Sequence, residues 1–101
     1  MLLLYRYMGL LIMFYANEHE PIHVHAKCQG RESKAEIILQ DGKLVEIRYG
    51  SSVGKAPLTD VEVRYFHELV DCYAMDIVQK WVDFFVLHKD IAPATISRRL
   101  K

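Results

Sequence analysis

The chain is poor in the residues that cross-link or interrupt a fold: two cysteines, three prolines and five glycines in 101 residues. Cys28 and Cys72 make neither a disulfide framework nor a closely spaced thiolate pair. That usage fits a reducing compartment and excludes a cysteine zinc module. So few prolines and glycines exclude a collagen-like or low-complexity chain. Net charge is also lacking, with thirteen Lys and Arg against thirteen Asp and Glu. A neutral chain exerts no global pull on nucleic acid or an anionic membrane, so a nucleic-acid site would have to be a local patch. The most apolar stretch, "MLLLYRYMGLLIMFYA", carries Arg6 inside it and falls short of the ~18 residues a spanning helix needs. No small-x-small cleavage pattern follows it. It reads as buried strand, and the protein as soluble, cytoplasmic and without a membrane partner.

What is present is an ordinary globular composition, 51% hydrophobic and 26% charged, sufficient for one domain over residues 1–101. Strands are expected over about 9–49. "GLLIMFY" is a continuous β-favouring run, and Ile22 to Lys27 alternates with the period of a strand. "KAEIILQ" and "KLVEIRY" flank Asp41-Gly42, a strong hairpin signal because a type I′ turn needs two residues tolerant of positive φ. Residues 50–58 read as a linker. Its "GSSVGKAP" lacks the glycine spacing and the Ser or Thr after lysine that a Walker phosphate loop requires.

From residue 60 the period changes. Thr59 with Glu62 fits a capping box, and Leu58 with Val63 fits the hydrophobic staple beside one. Val63, Phe66, Val70, Tyr73, Ile77, Trp81 and Phe84 follow helical spacing, giving a helical half over 60–88. One straight helix of that length would run ~44 Å, long for a domain of ~13 Å radius of gyration, so a break is expected around residues 72–76. The tail, 89–101, reads as frayed. The fold class is α+β: a three- to four-stranded antiparallel meander followed by two amphipathic helices on one face. His67 and His88 are expected at the surface. Tyr5, Tyr7, Tyr15, Tyr49 and Tyr65 exceed what such a core needs, which points to a homodimer or partner face.

The chemistry is concentrated in "NEHEPIHVHAKC", which holds three of the five histidines. On a strand His23 and His25 leave the same face, about 6.5–7 Å apart at Cα, and are expected to meet solvent together. That spacing lets both imidazoles reach one zinc, with His19 a third ligand and Glu18, Glu20 or Cys28 a fourth or an orienting group. Alternatively, His23 and His25, with His19, serve as acid and base, because histidine titrates near neutrality. The plainest reading has the imidazoles bonding backbone carbonyls at the end of a strand.

"YRYMGLLIMFYANEHEPIHVHAKCQG" resembles the opening of small bacterial proteins of domain-of-unknown-function family 4160. Glu18, His19, Pro21, His23, His25 and Ala26 occupy the matching positions, and the resemblance spans roughly residues 5 to 86. Ile22 stands where the family commonly has a second proline, and Val24 where it has a bulkier residue. The resemblance implies a protein partner encoded nearby, commonly of unknown-function family 2442, and a role in a toxin–antitoxin-like pair. The rival is a histidine-dependent, metal-assisted hydrolase or ribonuclease. A nucleic-acid-binding module using Arg98, Arg99 and Lys101 ranks third.

Overall fold

Three dipeptides of the form X-Gly set the topology: Met8-Gly9, Gln29-Gly30 and Asp41-Gly42. Each pair has positive φ at both residues (50° and 82°, 49° and 81°, 52° and 77°), the requirement of a type I′ hairpin. A computed structural model describes residues 2–16 and 21–100. The turns join β1 (Leu2–Tyr7) to β2 (Leu10–Phe14), β3 (Ile22–Cys28) to β4 (Arg31–Gln40), and β4 to β5 (Lys43–Ser51). A helix α1 (Asp60–Trp81), a π-helical turn (Val82–Val86) and a short β6 (Ala94–Ile96) complete the chain. The strands form one six-stranded sheet in the order β5-β4-β3-β2-β1-β6. Every pairing is antiparallel except β1 with β6.

Alternation gives the sheet one apolar face. Tyr5, Tyr7, Leu10, Ile12, Phe14, Val24, Ala26, Ala35 and Ile37 are buried there with Phe66, Leu69, Val70, Ile77 and Trp81 of α1. The helix starts as its sequence requires. Thr59 accepts from the Glu62 amide at 3.3 Å, and the Glu62 carboxylate accepts from the Thr59 amide at 2.9 Å. Glu62 also takes a two-pronged contact from Arg31, 2.9 and 2.5 Å, which ties the helix start to the first residue of β4. The Arg31 guanidinium holds the Glu62 carboxyl far below the usual carboxylate range.

Four expectations change. The sheet has six strands rather than three or four, because the apolar N-terminus is a hairpin folded at Met8-Gly9, which adds β1, and the tail adds β6. The helical half is one helix, kinked at Tyr73 (φ −116°, ψ 15°) inside the expected break region, and not a pair. Its end widens into a π turn, and His88 takes a positive φ of 56° before the chain turns toward β6. The linker is pinned to the sheet, since the Glu32 amide donates to the Ala56 carbonyl at 2.8 Å. The tail is not frayed over its described part. Ala94, Thr95 and Ile96 pair with Tyr5, Arg6 and Tyr7, and Arg99 grips Glu68 at 2.7 and 2.5 Å.

The surplus tyrosines make contacts within the chain. Tyr5, Tyr7 and Tyr49 donate from the sheet to Asp76, Glu68 and Asp71 of α1. Tyr65 lies under the Arg99 guanidinium, 4.7 Å from ring centre to charge. His67 stacks on Tyr49 with centroids 3.6 Å apart, and His88 is exposed. Burial together with the facing carboxylates pushes the Tyr5 and Tyr49 hydroxyls above their ordinary value. Cys28 is half-buried, Cys72 exposed, and both are free thiols. No described helix is long and apolar enough to cross a membrane.

Candidate functional site

The Gln29-Gly30 turn fixes which residues face one another. It places Cys28 opposite Arg31, Lys27 opposite Glu32, and His25 opposite Lys34. Since Ile22, Val24 and Ala26 point into the core, alternation sends His23, His25 and Lys27 to the other face of β3. Glu32 shares that face, diagonal to His25. The His25 Nδ1 lies 3.1 Å from one Glu32 carboxylate oxygen, and the Tyr15 hydroxyl donates to the other at 2.7 Å. The Lys27 ammonium stands 3.9 Å from the carboxylate.

Glu32 is only 2% exposed, so desolvation alone would raise its pKa. The neighbouring Tyr15 and Ser52 hydroxyls and the charges of His25 and Lys27 outweigh that penalty and hold the carboxyl below its ordinary value. It is therefore an acceptor near neutrality, and the His25 Nδ1 beside it must carry the proton of the contact. His23 follows the same logic. Its Nδ1 is 2.8 Å from the Pro21 carbonyl, which can only accept. Both imidazoles thus have their Nδ1–H directed at protein acceptors, which fixes the orientation of each ring, and the His25 Nε2 is buried. Their ring centroids are 5.4 Å apart.

The rings emerge together, as the strand period predicts, but they do not meet solvent equally. His23 is half-buried, with its ring centroid 6.0 Å from that of the Trp81 indole. His25 is 7% exposed, edge-on to Tyr15 at 4.5 Å. The expectation that both face solvent fails at His25, because the β3–β4 hairpin sets Glu32 beside it and Tyr15, just after β2, packs against its ring. Glu18, His19 and Glu20 lie outside the described residues, as do any ligand roles for them. Among the described residues no three His, Cys, Asp or Glu side chains converge in a metal-binding group. Cys28 turns to the opposite side of the hairpin, near Arg31 and Glu62, and burial pushes its thiol up.

Sequence reasoning missed Glu32 and Tyr15. The signal was present in Gln29-Gly30: a two-residue hairpin there dictates the Lys27–Glu32 pairing and hence the diagonal to His25. Reading the strand from Lys34 instead hid it. A cleft of about 300 Å³ opens beside the same carboxylate, lined among others by Lys27, Gln29, Arg31, Glu32 and Lys55. Arg99, expected as a nucleic-acid contact, is engaged with Glu68.

A family model described as a domain of unknown function, DUF4160, matches residues 9–82. The chain belongs to this family. The matched segment of the DUF4160 domain runs from the Met8-Gly9 turn to the end of α1, so it contains both histidines, Glu32 and the capping box. β1 and β6 lie outside it. No curated protein matches the chain, and no solved structure matches it.

Proposed function

We propose that this DUF4160 protein is one component of a toxin–antitoxin-like pair acting with a protein partner, and that the His23–His25 pair is its functional site. The chemistry best supported there is histidine-dependent acid–base or metal-assisted hydrolysis, with RNA the substrate class. One observation carries the reading: both Nδ1 atoms bond protein acceptors, Pro21 for His23 and Glu32 for His25, so both rings are held in fixed orientations side by side. Metal-binding and general-base histidines are commonly held in this way by a carbonyl or carboxylate behind them. His23, the more accessible ring, is assigned the proton transfer or metal contact. His25 and Glu32 form the supporting dyad, with Glu18 and His19 as further metal ligands. The resident metal on this reading is zinc. The cleft beside Glu32, with Lys27 and Lys55 on its wall, suits an anionic substrate.

The test is expression of the protein alone in a bacterial host, with and without the neighbouring gene. The expected result is growth arrest with RNA decay, relieved by the neighbour and abolished by His23→Ala at unchanged melting temperature. Arrest that persists in His23→Ala would count decisively against the site, as would full activity after exhaustive chelation against its metal-assisted form.

A further inference from the structure

The two ends of the sheet are closed very differently. β6 contributes three residues at one edge, whereas β5 presents nine at the other. Among the described residues no strand pairs on the outer side of β5. Long open edges invite a further strand, and proteins usually guard them with charges that repel an incoming copy. The charges on β5 do the reverse.

Glu46 and Arg48 sit two apart on one face, linked to each other at 2.9 and 3.3 Å, with side chains 49% and 60% exposed. We propose that β5 is a dimerisation edge at which two copies of this chain pair antiparallel about Ile47. A two-fold axis through Ile47 sets Glu46 opposite Arg48 of the second copy and Arg48 opposite its Glu46. The other face then brings Ile47 against Ile47. Directly opposed pairs of opposite charge and of apolar groups are the stabilising units of antiparallel ladders. Shifting the axis by one residue either way sets Glu46 against Glu46 or Arg48 against Arg48, so the side chains select one register. The bulge opposite Ile38 and Leu39 falls at Val45 of each copy, outside the 46–48 segment that carries the charge pairs, and leaves 46–51 in regular register with β4. The result is a continuous twelve-stranded sheet, twice the six strands of one copy. Its interface is independent of the histidine site.

Sedimentation velocity across a concentration series reaching millimolar tests this with the wild-type chain and two variants, Glu46→Arg and Arg48→Glu. Wild type is expected to show a monomer–dimer equilibrium that weakens with salt. Each variant alone sets like charges opposite one another twice per dimer and should self-associate at least about tenfold more weakly. Mixed in equal amounts, the two variants restore opposite charges at both positions and should form a heterodimer. Both sites are exposed, so melting temperatures report whether folding is intact. A wild-type chain that stays monomeric, variants that dimerise unchanged, or a mixture with no heterodimer would each overturn the proposal.

Discussion

At the scale of single residues, Glu32 decides more than its histidine neighbours do. It is an ionised carboxylate under nearly complete burial, tolerated because a hydroxyl, an imidazole and an ammonium surround it. His25 and His23 should therefore respond differently to truncation. His25→Ala removes a buried partner of that carboxylate and is expected to cost about 1–3 kcal/mol in urea unfolding. His23→Ala, at a half-buried position whose Nδ1 contact is exposed, should stay within about 0.5 kcal/mol of wild type. Equal losses would mean that the two rings do not hold distinct roles. The carboxylate also gives stability a pH signature. Its folded pKa lies below its unfolded value, so its contribution is complete above the ordinary carboxylate range and disappears as pH falls through the folded value. Glu32→Gln removes that contribution, and its stability measured against pH should fall less steeply on acidification than that of wild type.

At the scale of elements, the local signals proved readable and the long-range ones did not. The Asp41-Gly42 turn and the Thr59–Glu62 box were legible because each depends on neighbours in sequence, and the break near Tyr73 because a straight helix of that length would outrun the domain. Thr59→Ala should cost about 1 kcal/mol by thermal or urea unfolding, the usual value of a lost helix cap. The Met8-Gly9 turn was obscured because methionine carries no preference for positive φ and the flanking residues are apolar on both sides. β6 was hidden for a different reason. Ala94, Thr95 and Ile96 have no pattern of their own and become a strand only because β1 offers a free edge and Glu68 holds Arg99 nearby. Arg99→Ala should loosen this latch without unfolding the domain. Hydrogen exchange is expected to quicken in β6 and at the β1 amides while β3 and β4 stay protected; unchanged exchange there would mean the ion pair does not hold the strand. The same limit hid half of the site. The histidines sit two apart on one strand, but Glu32 reaches His25 only across a hairpin.

At the scale of the whole molecule, tyrosine–carboxylate pairs span the interface between sheet and helix from β1 to β5. Tyr5, Tyr7 and Tyr49 have pKa values raised above the ordinary tyrosine value. A raised folded pKa contributes stability below the unfolded value and loses it as pH climbs toward the folded one. The melting temperature should therefore hold near neutrality and fall above about pH 10, the unperturbed tyrosine value. Replacing Tyr5 and Tyr49 by phenylalanine should flatten that alkaline limb, whereas an unaltered limb would place its origin elsewhere. The parallel pairing of β1 with β6 has a mechanical consequence. Tension applied at residues 2 and 100 would draw these two strands lengthwise past each other, loading their hydrogen bonds and the Arg99–Glu68 clamp simultaneously instead of unzipping them in turn. Stretched in that direction, the chain is expected to resist more than when pulled across the open side of β5.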